Sequence, residues 1–230
     1  MRREEGIANN SIDYSMMNPR ELLHNGAKEL GISLTIEQIN SVFIYLAELK
    51  KWSQKINLTA ITDEEDVIIK HVLDSLSYIQ GFTPSQGLRL LDMGSGAGFP
   101  ALPIKIAHPG LSITMVESTK KKASFLRHII RTLKLTDIEV LDTRTNELPA
   151  SLLSAFNIVT ARAFAEMRSA IAAGAPFLQP NGLIVLSRGP EEMINDRDLA
   201  KAGALLEKRI ALTLPYSNYQ RAIWVFKKAA

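Results

Sequence analysis

The sequence predicts an α/β fold: a mostly parallel sheet with a C-terminal antiparallel hairpin, preceded by a small helical N-terminal region. Three observations carry this. A short apolar run, Leu88–Leu91, leads through a glycine-rich turn into an apolar helical stretch, Ala101–Ala107. From residue 88 onward, strand-like and helix-like segments alternate, whereas residues 20–80 read as helices alone. Two late runs, Ile210–Leu214 and Ala222–Phe226, are joined by a short loop and therefore pair antiparallel.

Taken in order, residues 1–18 are polar and read as a flexible tail. Residues 19–86 form the helical region. There Leu22, Leu23, Gly26, Ala27 and Leu30 share one helical face, which Gly31 stops. Thr35-x-x-Gln38 is a capping box, and behind it Ile39, Val42, Phe43, Leu46, Leu49 and Trp52 recur at helical spacing. A third helix starts at the cap Asp63 and carries Val67, Ile68, Val72, Leu76 and Ile79. In the loop Trp52–Thr59, Asn57 and Thr59 either hydrogen-bond the turn or contact a substrate. His71 and Asp74, three apart on one helix, read as a structural pair before a catalytic one. Gly81–Gly87, with Pro84, is the linker into a domain of residues 87–230.

That domain opens on the strand, glycine turn and helix of a Rossmann-like nucleotide-binding unit. The spacing is D-x-G-x-G-x-G, from Asp92 to Gly98, and Phe99 stands where a dinucleotide fingerprint has its third glycine. Asp92 would repel a pyrophosphate, but suits the ammonium and sulfonium groups of S-adenosylmethionine (AdoMet). The second strand, Ser112–Val116, ends on Glu117, placed to accept the ribose hydroxyls of a nucleoside cofactor.

The helix Ser118–Leu135 turns Phe125, Leu126, Ile129, Ile130 and Leu133 to one side. Lys120, Arg127, Arg131 and Lys134 lie opposite, with no acid between Lys120 and Lys134. Ordinary solvated faces mix signs, so this stripe is read as a contact for RNA or DNA phosphates. Ile138–Leu141, Phe156–Thr160 and Leu183–Leu186 are the third to fifth strands. The exit Asp142–Glu147 is placed to bracket an adenine ring, and Arg162 stands at the mouth of the fourth strand. Ala165–Phe177 and Glu191–Glu207 read as helices, and Pro180-Asn-Gly182 as a turn. Five parallel strands closed by an antiparallel hairpin is the class I AdoMet-dependent methyltransferase arrangement rather than that of a dehydrogenase.

Composition narrows the chemistry. Among 230 residues there is no cysteine, which excludes disulfides, thiolate metal sites and a thiolate nucleophile for pyrimidine ring carbons. Hydrophobic residues make up 46%, enough for a sizeable core, yet no run approaches membrane-span length. Without an apolar signal core the expected location is cytoplasmic, with no membrane partner. The net charge of +3 is compatible with a nucleic-acid partner. No metal site is expected.

The run Leu91-Asp-Met-Gly-Ser-Gly-Ala-Gly-Phe-Pro100 resembles the ribosomal RNA small subunit methyltransferase G family, also called glucose-inhibited division protein B. Trp52 with Ile56-Asn-Leu-Thr59, His71 with Asp74-Ser-Leu76, Glu117-Ser-Thr-Lys-Lys121, Phe125-Leu126, Thr160-Ala-Arg-Ala-Phe164 and Pro180-Asn-Gly182 fit as well. The resemblance spans about residues 20 to 228. It implies an AdoMet-dependent enzyme that methylates N7 of one guanine in the decoding-region loop of 16S ribosomal RNA; the expected partner is that RNA or a small-subunit particle, with the chain itself a monomer. It also implies that Gly94 and Phe99 line the cofactor, that Asn146 and Glu147 flank its adenine, and that Arg162 lies between cofactor and substrate. Three positions depart from the family pattern: Ala101 where glycine is common, Arg188-Gly189 for Lys-Gly, and Asn146 for a small residue. The expected cofactor set is thus Gly94, Ser95, Gly96, Phe99, Glu117, Ser118, Thr119, Asn146, Glu147 and Arg162. Lys120, Arg127, Arg131, Lys134 and Arg188 are expected on RNA, and Arg162 in catalysis.

Rival readings are a methyltransferase for another RNA, a small molecule or a protein, a nicotinamide dehydrogenase, and a non-catalytic RNA-binding module. The residues speak to the reaction too. Exocyclic amine methylation usually employs an Asn/Asp-Pro-Pro-aromatic clamp after the fourth strand, and that exit here reads Ala161-Arg-Ala-Phe164. Guanine N7 needs neither the clamp nor a cysteine, because its in-plane lone pair is already nucleophilic.

Overall fold

A computed structural model describes residues 17–162, 164 and 166–229. Residues 1–16 of the expected tail lie outside the described residues. Asn18 belongs to the first helix, α1 (Pro19–Glu29): its side chain accepts from the Arg20 and Glu21 amides, and Glu21 reaches back to its own N–H. The Thr35–Gln38 capping box opens α2 (Ile36–Ser53) as expected. Asp63 caps α3 (Glu64–Val67), which continues through a π-helical turn (Ile68–Leu73) into α4 (Asp74–Ser77) and a 3-10 turn (Tyr78–Gly81).

Beyond the linker come β1 (Arg89–Met93), α5 (Ala101–Ala107), β2 (Ser112–Val116), α6 (Lys120–Thr132), β3 (Ile138–Leu141), β4 (Phe156–Ala161), α7 (Met167–Gly174), β5 (Leu178–Arg188), α8 (Asp196–Lys201), β6 (Ala204–Thr213) and β7 (Gln220–Lys228). They build one seven-stranded sheet in the order β3-β2-β1-β4-β5-β7-β6. Strands β1 to β5 pair in parallel, and β7 runs antiparallel to both β5 and β6. This is the class I methyltransferase arrangement that the strand pattern predicts.

The central strands β1, β2, β4, β5 and β7 are largely apolar because both faces are covered, whereas the edge strands β3 and β6 are more open to solvent. Leu90, Ile113, Met115, Ile158, Val185, Ile223 and Val225 look toward α5, α6 and the N-terminal helices. Their neighbours Leu91, Val116, Val159, Ile184, Leu186, Trp224 and Phe226 join the cluster of α7 and α8 on the other side. Residues from α1 through the 3-10 turn therefore share one core with the sheet. Approach is close at Gly81, where a Cβ would sit 2.5 Å from a Val185 methyl.

Three expected elements differ. The helix expected over Glu191–Glu207 is only the short α8, capped by Asn195 and stopped at Gly203 (φ +70°). Leu199, Ala202, Leu205 and Leu206 repeat at helical spacing, but from Ala204 the backbone pairs with β7 and leaves Leu205 60% exposed. The expected turn at Pro180–Gly182 lies within β5. There the register against β4 jumps from Phe156↔Leu178 to Ile158↔Leu183, with Asn181 at φ +62°. The basic helix ends at Thr132, before Lys134, which takes φ +52°.

Tyr45 joins the N-terminal helices to the glycine turn. Fully buried, it donates its hydroxyl to the Ala97 carbonyl (2.6 Å) and packs its ring against Phe99 and Phe125. Tyr45→Phe strands a buried carbonyl and should cost about 1–3 kcal/mol in urea unfolding. Tyr45→Ala also opens a cavity and should cost about 3–5 kcal/mol. Unfolding midpoints equal to wild type would refute the link.

Candidate active site

The turn after β1 is held by backbone bonds. The Gly94 and Ser95 amides both donate to the Val116 carbonyl, at 2.9 and 3.0 Å. Gly94 takes φ +70°, and a Cβ there would lie 2.9 Å from the Phe164 ring, so glycine is required on two counts. Glu117, 6% exposed at the tip of β2, closes the turn from the other side. Its Oε2 accepts from the Gly96 amide (2.9 Å) and its Oε1 from the Thr119 amide (2.7 Å). Each oxygen keeps a lone pair for a ribose hydroxyl.

Asp92 lies beneath the turn rather than on its surface. It is fully buried, its Oδ1 accepts from the Thr160 hydroxyl (2.9 Å), and its Oδ2 has no hydrogen-bond partner among the described residues. Burial pushes its carboxyl up to about 7, against the pull of the Ser95 and Thr160 hydroxyls. Its influence on a bound cation is through the field, without contact.

A cavity of about 320 Å3 opens beside the turn, lined by Gly94, Val116, Ser118, Thr143, Arg144, Thr145, Asn146, Phe164 and Ala173. The size suits a small-molecule site. Of the expected cofactor residues, Gly94, Ser118 and Asn146 line it directly. Glu147 stands beside it, accepting from Thr143 Oγ1 (3.1 Å). Ser95 turns its hydroxyl back onto the Asp92 carbonyl. Phe99 packs away from the cavity, its ring 4.8 Å from His71 and 5.5 Å below the Arg162 guanidinium. Thr143–Thr145 belong to the exit expected to bracket an adenine, whereas sequence reasoning missed Phe164 and Ala173. The only signal at Phe164 was its position just beyond a strand end. The residues fit AdoMet: a glycine turn open to a ligand, hydroxyl acceptors at Glu117, and a carboxyl below that favours a cation. A larger cavity, about 520 Å3, lies between α2 and α3 and is lined by residues such as Leu46, Leu49 and Val67.

Arg162 is the centre of a second cluster. Its Nη2 donates to the Lys70 carbonyl (2.7 Å) and to His71 Nδ1 (2.9 Å), and lies 3.2 Å from Asp74 Oδ2. Nδ1 lies 2.9 Å from Arg162 Nη2 and 3.1 Å from the Lys70 carbonyl; because a guanidinium only donates, the closer contact makes Nδ1 an acceptor and leaves the ring proton on Nε2, which bonds Thr59 Oγ1 at 2.7 Å. Burial, and then the Arg162 charge, push the His71 imidazole down to about 4, so it is neutral at neutral pH. Thr59 also accepts from the Ile61 amide, so it bonds its own turn, while Asn57 is exposed. His71 and Asp74 thus do not pair with each other: both converge on Arg162.

The basic residues are spread out. Lys120 lies at the mouth, where α6 begins. Arg131 is exposed about 16 Å further along the helix, toward the other end of the strands, with Lys134 beyond it. Arg127 donates to the Val140 carbonyl and lies 3.9 Å from Asp142. Arg188, at the mouth end of β5, is nearly buried and faces Glu192 at 3.6 Å.

The raised Asp92 value has a stability consequence. Between about 4 and 7 the folded chain holds a proton that the unfolded chain releases, so this group's contribution falls as pH rises through that window. Asp92→Asn does not titrate. The melting-temperature difference between variant and wild type should therefore move in the variant's favour from pH 4 to pH 8. Parallel melting curves across that range would contradict the assignment.

Comparison with known proteins agrees with this geometry. Residues 38–222 match the family described as rRNA small subunit methyltransferase G. A ribosomal RNA small subunit methyltransferase G of Geobacter sp. (strain M21) is 40% identical over 210 residues, 90% of this chain and 96% of that protein. A protein of the same name from Acetivibrio thermocellus is 36% identical over 222 residues, covering 94% and 91%. The structure of M. jannaschii TYW2 in complex with AdoMet is similar in fold, with a TM-score of 0.56 and 14% identity over 76% of this chain and 78% of that one. So is the cyclase SpnF, with a TM-score of 0.59 and 15% identity over 86% and 98%. Over most of its length, then, the chain belongs to the rRNA small subunit methyltransferase G family.

Proposed function

We propose that this chain is an AdoMet-dependent methyltransferase that modifies N7 of a guanine in 16S ribosomal RNA, working as a cytoplasmic monomer on the RNA or a small-subunit particle. One observation carries the choice of N7: among the described residues the mouth holds no disengaged base. His71 accepts from Arg162 and donates to Thr59, Asp74 is bound to Arg162, and Asp92 is sealed beneath the turn. N7 has no proton to lose, so a site without a base is sufficient for it. The glycine turn and Glu117 support cofactor binding, and Gly94, Ser118 and Asn146 would hold it beside the strand tips. When bound, AdoMet supplies a methyl group on a positively charged sulfur. The chain's residues have to hold the guanine in line with that group, and such alignment lowers barriers by several kcal/mol. Arg162, braced by Phe99, Lys70, His71 and Asp74, is the residue proposed to orient the base or its phosphate. Lys120 lies close enough to assist at the mouth.

Mass mapping of methylated positions in 16S RNA, with and without the protein, tests the reaction. The methyl should lie on guanine N7, and finding it on an exocyclic amine or ring carbon overturns the reading. Arg162→Ala should lower the rate about 10²-fold in a folded protein. The rate should show no obligatory base between about pH 6 and 9. A cation beside Asp92 favours its ionised form, so AdoMet binding below pH 7 should release a fraction of a proton. Calorimetry in buffers of different ionisation enthalpy reads this directly, and Asp92→Asn should abolish it.

A further inference from the structure

We propose that Arg221 and Arg162, held on either side of Asp74, form a site for a phosphodiester group of the RNA backbone beside the methylated nucleotide. The proposal rests on the RNA-methyltransferase reading above and places part of its substrate.

The argument begins with charge. Asp74, whose side chain is 4% exposed, accepts from Arg221 Nε (2.9 Å) and the Ser187 hydroxyl (3.3 Å) on Oδ1, and faces Arg162 Nη2 with Oδ2. One carboxylate thus serves two guanidinium groups. Asp92, sealed beneath the turn, reaches Arg162 only through the field, and the nearer neighbours do not change the balance. Lys70 is paired with Asp66 at 2.7 Å, and His71 is neutral. A half-buried cluster with one excess positive charge is completed by an anion.

Donor counting agrees. The hydrogen bonds of Arg162 among the described residues run through Nη2, and those of Arg221 through Nε and Nη1. Among the described residues, Nε and Nη1 of Arg162 and Nη2 of Arg221 have no partner. Both side chains remain open to solvent, at 20% and 26%. Guanidinium N–H groups fixed in place, with acceptors lacking, match the several oxygens of a phosphate.

Placement agrees as well. Arg162 leaves the end of β4. Arg221 opens β7, which runs antiparallel to β5 with Ala222 opposite Arg188, so it returns to the same end of the sheet. The pair therefore flanks the mouth, whereas the α6 stripe leads away from it.

The test uses the full chain and transcribed 16S RNA. Arg221→Gln should weaken RNA binding about tenfold and reduce the slope of log affinity against log salt by about one, with AdoMet affinity unchanged by calorimetry. In the wild-type protein, ethylation of a single phosphate within two nucleotides of the methylated guanine should block binding. In Arg221→Gln that interference should disappear. Wild-type affinity and salt slope in a folded Arg221→Gln protein overturn the proposal. So does the absence of an interfering phosphate near the target, which needs no variant to fold. Failure of the wild-type chain to bind or methylate RNA overturns the function itself, and this site with it.

Discussion

Both faces of the sheet are apolar over its central strands, and neither can be left to water. Helices α7 and α8 cover one face. On the other, α5 and α6 cover the β3–β1 side, and the N-terminal helices complete the cover over β4, β5 and β7. This requirement ties the helical region to the site. The helix that packs Ile68, Val72 and Leu76 into the core carries Lys70, His71 and Asp74 to the mouth of β4. The cover of the sheet and the support of Arg162 are one piece of structure.

Electrostatics divides the mouth into two regions. Around the glycine turn the buried groups are acidic, with Asp92 below and Glu117 beside it, an environment that favours a cationic ligand. Around Arg162 the balance is reversed, since two guanidinium groups share Asp74 and His71 is kept neutral by burial and by the nearby cation. A methyl donor with a positive sulfur and an acceptor with a negative backbone would meet along this divide. Neither region needs a residue that takes a proton from the acceptor atom during transfer.

The chain order of apolar runs, glycines and caps was enough to place most strands and helices. Strands follow from short apolar runs that both covered faces require, and the Thr35 and Asp63 caps follow from the need to satisfy free amides at helix starts, while the Asn18 cap lies in the stretch expected to be tail. The reading failed where periodicity was ambiguous. Leu199 to Leu206 repeats like a helix, but pairing with β7 outweighed local preference and drew Ala204 onward into an edge strand. The basic stripe was legible as a pattern on a helix. The direction of that helix relative to the mouth, which separates Lys120 from Arg131, was not.

By itself, the sequence determined the fold class, the position of the cofactor turn and the acid at the tip of β2. These depend on residues close in the chain, whose spacing fixes local backbone geometry. Only the tertiary structure decided that Asp92 lies under the turn, that Phe99 supports Arg162 rather than the cavity, and that Asp74 gathers Arg162 and Arg221. Those partners are as much as 147 residues apart. Their meeting depends on which strands adjoin and which helix covers them, and no local spacing encodes that.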